Sequence, residues 1–152
     1  MIGNTPLIKI TNKIFAKMEA YNPSGSIKDR MANYILLKAR EAGLVKPGDT
    51  IVEATSGNTG IAFAMLGTKM GCRVKIIMPR NMSEERKQMM RIFGAEIIEV
   101  GDNAFLDAIA LRDKLASENE DYFSPRQFSN PHNIECHRET TGREILEQMD
   151  HR

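Results

Sequence analysis

Apolar residues along the chain alternate between short runs typical of buried strands and longer stretches with the spacing of helices. The short runs predict strands at residues 14–18, 50–53, 73–78, 96–100 and 122–123. The longer stretches predict helices at residues 31–42, 58–70, 83–93, 103–117 and 134–149. Because single helices separate most successive strands, this order predicts βαβ units with right-handed crossovers. We therefore predict an α/β fold, with three αβα layers around a mostly parallel sheet.

A turn-forming stretch at residues 22–30, with the sequence Asn-Pro-Ser-Gly-Ser-Ile-Lys-Asp-Arg, leads into the first predicted helix. It places Lys28 at the helix N-terminus, where the helix dipole and burial both disfavour a positive charge. This position favours a neutral, nucleophilic amine, which is the group that forms a Schiff base with a carbonyl cofactor. The alternative is a solvated surface lysine, as most lysines near helix starts are.

A second motif, Glu-Ala-Thr-Ser-Gly-Asn-Thr-Gly at residues 53–60, lies between a predicted strand and a predicted helix. Such a loop offers unpaired backbone N–H groups and hydroxyl donors, so it can bind a carboxylate or a phosphate. The alternative is an ordinary strand-to-helix turn with a good N-cap. The sequence contains neither the G-x-G-x-x-G fingerprint of dinucleotide-binding proteins nor a P-loop.

Six motifs occur in the order and spacing of the fold-type-II pyridoxal-phosphate enzymes. They lie at residues 2–7, 22–30, 55–60, 78–86, 94–96 and 127–131. By these motifs the chain resembles the cysteine synthase (O-acetylserine sulfhydrylase) family, and its B-type members in particular. The resemblance covers the whole sequence and implies the N-terminal half of the tryptophan-synthase-β-like fold. Ser24 stands where many members have threonine, and Ala54 where many have proline.

The resemblance implies a role for each motif residue. Lys28 is similar to the catalytic lysine that binds pyridoxal 5'-phosphate and exchanges the Cα proton of the substrate. Asn58 is similar to the asparagine that hydrogen-bonds the ring hydroxyl oxygen of that cofactor. The implied ligands of the substrate carboxylate are Thr55, Ser56, Gly57, Asn58, Thr59 and Gln127. Without the resemblance, Gln127 reads as a loop glutamine bonded to its own backbone.

The implied reaction is the replacement of the acetate group of O-acetylserine by sulfide, which yields cysteine. Alternatives within the same enzyme class are a cystathionine β-synthase and a serine/threonine deaminase. An alternative of another class is a truncated domain without catalytic activity. The implied partners are an amino acid substrate, sulfide and, for a complete enzyme, a second copy in a homodimer.

The chain has 152 residues, whereas the resemblance implies a protein about twice as long with two α/β domains. We expect a fragment whose missing C-terminal half, or a second chain, supplies the loop that holds the cofactor phosphate. The expected organisation has three parts. These are an N-terminal segment at 1–30 that pairs with the absent large domain, a small α/β domain at 31–135, and a linking helix at 136–152.

Charged residues make up 27% of the chain and the net charge is +1, which favours neither a nucleic-acid-binding nor a membrane protein. We expect a cytoplasmic protein, because no signal peptide begins the sequence. Cys72 and Cys136 are too few and too far apart to form a disulfide framework. The three histidines have no ligand spacing with them, so no metal site is expected.

Overall fold

The computed structural model describes residues 1–149 in full and the backbone of Asp150, so the end of the predicted linking segment 136–152 lies outside the described residues. The helices are α1 (Lys28–Glu41), α2 (Asn58–Lys69), α3 (Glu84–Ile92), α4 (Phe105–Glu118), α5 (Pro131–His137) and α6 (Arg143–Asp150). The strands are β1 (Leu7–Lys9), β2 (Phe15–Lys17), β3 (Thr50–Ala54), β4 (Arg73–Pro79), β5 (Glu96–Val100) and β6 (Tyr122–Phe123).

Four of these strands form a parallel sheet in the order β5-β4-β3-β6, as the alternating pattern predicts. The central strand β3 is buried along its whole length. It pairs with five residues of β4 on one side and with two residues of β6 on the other. Because β6 is so short, the end of β3 has no strand partner on that side.

Helices cover both faces of this sheet and produce the predicted three layers. On one face α1, α2 and α3 enclose the larger apolar cluster, which contains Met31, Phe63 and Met90 together with Ile51 and Ile76 of the sheet. On the other face α4 packs on a smaller cluster built from Val52, Ala54, Ile77 and Ala108. Successive strand residues point to opposite faces, so Ile51 and Val52 enter different clusters.

The N-terminal region contains a feature that the sequence pattern did not predict. Strands β1 and β2 pair antiparallel in a separate two-stranded sheet, with Leu7 opposite Lys17. The apolar pattern indicated only β2. Strand β1 was missed because Leu7 is its one buried residue, so no alternation of buried and exposed residues is visible. This hairpin precedes a short 3₁₀ turn at Glu19–Tyr21.

Two predicted helix starts were placed three residues too late. Helix α1 begins at Lys28 and not at residue 31, and α5 begins at Pro131 and not at residue 134. Proline suits the first turn of a helix, and Asn130 caps α5 by accepting a hydrogen bond from the His132 amide at 3.0 Å. A π-helical segment, Arg138–Gly142, joins α5 to α6.

A buried ion-pair network attaches the N-terminal segment to α1 and α6. The Arg30 guanidinium donates to the Glu19 carboxylate at 2.7 Å and to the Glu144 carboxylate at 2.6 Å. Lys17 Nζ lies 2.6 Å from the same Glu144 carboxylate. The Arg30 side chain is only 1% exposed, so these carboxylates compensate a charge that water does not reach.

Candidate active site

The predicted cofactor lysine, Lys28, is the first residue of α1 and is half-buried. The turn before it is fixed by local bonds: the Gly25 amide donates to the Asn22 carbonyl at 2.8 Å, and the Lys28 amide donates to Ser26 Oγ at 3.1 Å. Gly25 has a φ of +88°, which favours glycine. Among the described residues, the Lys28 side chain has no hydrogen-bond or ion-pair partner.

The positive charge of Lys28 affects the pKa of His137. Burial lowers the pKa of His137, and the positive charges of Lys28 and Arg30 lower it further. His137 Nδ1 lies 3.0 Å from Thr141 Oγ1. The sequence does not reveal this electrostatic relationship, because Lys28 and His137 are far apart along the chain.

The predicted anion-binding loop follows β3 and opens α2 at the carboxyl edge of the sheet. The Thr55 amide is bonded to the Ile77 carbonyl of β4 at 3.1 Å. In the described part of the chain, the backbone amides of Ser56, Asn58 and Thr59 donate to no acceptor. These N–H groups at a helix N-terminus are the donors that an anion needs.

The structure brings Gln127 to this loop. Thr59 Oγ1 donates to Gln127 Oε1 at 2.7 Å, in a buried contact. The alternative of a loop glutamine whose side chain bonds its own backbone therefore does not describe this contact. Lys28, in contrast, makes no hydrogen bond to the loop or to Gln127 among the residues that the structure describes.

A cavity of about 320 Å³ lies at the carboxyl ends of β3 and β4. Thr55, Ser56 and Gln127 contribute polar groups to its wall, and Phe105 and Phe128 contribute apolar surface. Its position agrees with the rule that open parallel sheets bind ligands at the carboxyl ends of their strands. Asn58 opens α2 beside this cavity, and its side chain has no hydrogen-bond partner within the described residues.

Sequence reasoning missed a buried ion pair next to the loop. Glu53, fully buried in β3, accepts from Arg112 Nη1 at 3.1 Å and from the Gln127 amide at 3.1 Å. Burial raises the pKa of the Glu53 carboxyl, and hydrogen bonds from the Ala54 amide and Arg112 oppose that rise without reversing it. A charged residue directly after the apolar pair Ile51 and Val52 of a buried strand is the sequence signal that points to Glu53.

The family model for pyridoxal-phosphate-dependent enzymes matches residues 1–152. The chain belongs to this family. It is 40% identical to a cysteine synthase of Staphylococcus aureus over 99% of the chain and 51% of that protein. It is 43% identical to cysteine synthase B of Salmonella typhimurium over 99% of the chain and 52% of that protein. The chain thus spans about half the length of these curated relatives.

A solved structure is also similar to this chain. It is a hydrogen sulfide-producing enzyme from Fusobacterium nucleatum, which superimposes with a TM-score of 0.87 at 51% identity. The match covers 90% of this chain and 42% of that protein. The fold and the family expected from the sequence motifs are therefore confirmed.

The described residues fit one side of a pyridoxal-phosphate site. Lys28 offers an amine without a partner, and Asn58 offers a free carboxamide at the start of the neighbouring helix. After Gly60 the sequence contains no second glycine-rich loop of the kind that holds a phosphate. Within the described part of the chain, no helix is both long and apolar enough to cross a bilayer.

Proposed function

We propose that this chain is the lysine-bearing half of an enzyme that makes cysteine from O-acetylserine and sulfide. In that reaction the Cβ–O bond to acetate breaks and a Cβ–S bond forms. The observation that carries the proposal is the contact between Thr59 and Gln127 at the Thr55–Gly60 loop. It brings amide donors from two distant segments to one cavity, and their combined chemistry suits an amino acid carboxylate.

The carboxylate is recognised by the loop and by Gln127. The free amides of Ser56, Asn58 and Thr59 donate to the carboxylate oxygens, and the positive end of α2 favours the negative charge. The bond from Thr59 occupies Gln127 Oε1, which leaves Gln127 Nε2 to donate to the substrate. Thr55 and Gly57 complete the loop around the same group.

Lys28 is the residue that would bind the cofactor and transfer the Cα proton of the substrate. Pyridoxal phosphate, when bound, supplies the electron sink that makes the Cα proton removable. The ε-amine of Lys28 would hold the cofactor covalently. Once the substrate amine had displaced it, the released amine would take the Cα proton and later return one. Asn58, with its carboxamide unpartnered among the described residues, would help to hold the cofactor ring by donating to its hydroxyl oxygen. Burial lowers the pKa of His137, and the positive charges of Lys28 and Arg30 lower it further, which disfavours a second cation in this region.

The rest of the enzyme comes from outside this chain. A phosphate needs several charge-assisted hydrogen bonds, and we propose that the half which the relatives possess and this chain does not span provides them. The complete enzyme is then a cytoplasmic homodimer that acts on a small amino acid and sulfide.

A second candidate is the release of hydrogen sulfide. It is favoured by the higher identity to the hydrogen sulfide-producing enzyme, 51%, than to the cysteine synthases. Both reactions use the same lysine and the same carboxylate site. They differ in whether a C–S bond forms or breaks, so product analysis separates them.

The test uses this chain fused to the C-terminal half of cysteine synthase B of Salmonella typhimurium, the part that the chain does not cover. We expect cysteine and acetate from O-acetylserine and sulfide, and loss of product in Lys28→Ala. Lys38→Ala, a change at an exposed lysine on the same helix, is the matched control and keeps the activity. Faster sulfide release from cysteine would favour the second candidate. A cofactor-loaded fusion that forms neither product would contradict both.

A further inference from the structure

Stability alone does not explain why Glu53 and Arg112 form a buried ion pair. Glu53 is 0% exposed and Arg112 is 6% exposed. Moving two charges out of water is costly, and buried pairs can often be replaced by apolar residues without loss of stability. The pair contacts the proposed carboxylate site through Glu53, which accepts from the Gln127 amide.

The Glu53 carboxylate fills the position that a neighbouring strand would otherwise occupy. Strand β6 pairs only with Thr50 and Ile51. Because the Thr55 amide points toward β4 and successive amides of a strand alternate, the Ala54 amide points to the open side. Glu53 Oε1 accepts from that amide at 2.9 Å.

The other oxygen of the same carboxylate fixes Gln127. Glu53 Oε2 accepts from the Gln127 amide at 3.1 Å. Asn133 Nδ2 donates to the Gln127 carbonyl at 3.0 Å, and Thr59 holds its side-chain oxygen at 2.7 Å. The amide, the carbonyl and the side-chain oxygen of Gln127 are thus all anchored, and only Nε2 is left without a partner among the described residues.

Arg126, the residue before Gln127, has a strained backbone conformation that the hydrogen bonds to the Gln127 backbone help to maintain. Arg126 has a φ of +51°, a conformation that costs free energy for a residue other than glycine. The Asp113 carboxylate lies 2.9 Å from Arg112 Nη2 and 3.2 Å from Arg126 Nη2. Arg112 is therefore linked both to Glu53 and, through Asp113, to the strained turn.

We propose that Glu53 and Arg112 are positioning residues that aim the Gln127 carboxamide at the substrate carboxylate. This inference rests on the proposed function, since it assigns the pair to the same carboxylate site. Glu53 holds the Gln127 backbone directly. Arg112 acts through Glu53 by donating a hydrogen bond to its carboxylate at 3.1 Å, which holds the carboxylate in place.

The test is an NMR titration of the ¹⁵N-labelled chain with sodium acetate, against sodium chloride at equal ionic strength. The reporters are the Ser56 and Thr59 amides and the Gln127 carboxamide. In Glu53→Gln, one acceptor becomes an NH₂ group that opposes the Gln127 amide. We expect acetate affinity to fall about three- to tenfold, the equivalent of one net hydrogen bond. Glu144→Gln, the same change in a buried ion pair that does not contact Gln127, leaves acetate affinity unchanged.

Different results separate this inference from the proposed function. If Gln127→Ala loses acetate affinity and Glu53→Gln binds like the wild type, the positioning role is wrong and the proposed function stands. If the wild-type chain shows no saturable shifts with acetate, the carboxylate site itself is wrong. If Glu53→Gln does not fold, Arg112→Lys decides: weaker acetate binding in a folded variant supports the inference, and unchanged binding overturns it.

Discussion

Thr59 and Gln127, 68 positions apart in the chain, share a buried hydrogen bond of 2.7 Å. Thr59 lies in the first turn of α2, and Gln127 lies in the loop between β6 and α5. The bond fixes which end of the Gln127 carboxamide is free. The hydroxyl engages the oxygen, so the NH₂ group is the end available to a ligand.

The first prediction concerns this hydroxyl. Thr59→Val keeps the shape of the side chain and removes the donor, so Gln127 can rotate and present its oxygen to an anion. We expect acetate affinity of the chain to fall about three- to tenfold. Thr68→Val is the matched control, because its hydroxyl donates to the Phe93 carbonyl at the other end of the same helix. Equal losses in both variants would contradict the prediction.

The second prediction concerns cofactor binding by the 152-residue chain. Without a phosphate-binding loop, we expect weak binding of pyridoxal phosphate and no stoichiometric yellow complex in an absorbance titration. Fusion to the C-terminal half of a relative should restore stoichiometric binding. Lys28→Arg should then fail like Lys28→Ala, since a guanidinium stays protonated. A tight yellow complex of the isolated chain that Lys28→Ala abolishes would show that the phosphate needs no second half.

The third prediction concerns the buried Arg30 network. Arg30→Met leaves the Glu19 and Glu144 carboxylates without their main partner at a largely buried site. Breaking such a pair typically destabilises a protein by about 3–5 kcal/mol, and urea unfolding measures this loss. Arg73→Met, which breaks an exposed pair with Asp121, should cost less than about 1 kcal/mol. Similar losses in the two variants would show that burial of the network adds nothing.

The fourth prediction concerns pH. Burial alone would raise the pKa of Glu144, but hydrogen bonds from Arg30, Lys17 and the Asn4 amide lower it from 4.5 to about 2. The folded state therefore binds this proton more weakly than the unfolded state. The stabilisation is present above pH 4.5 and is lost as the pH falls toward 2. Glu144→Gln should flatten the fall in melting temperature over that range, and an unchanged slope would contradict the assignment.

The fifth prediction compares two glycines of α2. A Cβ on Gly67 would lie 2.7 Å from Val74 Cγ2 and 2.8 Å from Ile51 Cδ1, inside the core. Gly67→Ala should therefore lower the free energy of unfolding by about 1–3 kcal/mol. A Cβ on Gly60 meets the flexible end of Met90 at 2.7 Å, and alanine adds about 1 kcal/mol of helix propensity. Gly60→Ala should cost less, and the reverse order in denaturant unfolding would contradict this reasoning.

Much of the fold could be predicted because the spacing of apolar residues within short segments indicates each strand and helix. Strands β5 and β6 were predicted at their observed bounds. The helix predicted at residues 83–93 is observed as α3, and Ser83 caps it by accepting from the Arg86 amide. The antiparallel hairpin was missed, since a three-residue strand with one buried side chain leaves no periodic signal. The late prediction of α1 has a similar cause: its first residues form a turn motif and carry no apolar repeat.

The sequence by itself determined the order of the strands and helices of the parallel sheet, the lysine turn and the Thr55–Gly60 loop, because each depends on residues close together in the chain. Only the tertiary structure decided which distant groups meet. Gln127 joins Thr59 and Glu53, and Arg112 neutralises Glu53, through contacts that span at least 59 positions. Periodicity indicates that a side chain is buried. It does not identify the partner that satisfies a buried polar group, because that partner is set by how strands and helices pack.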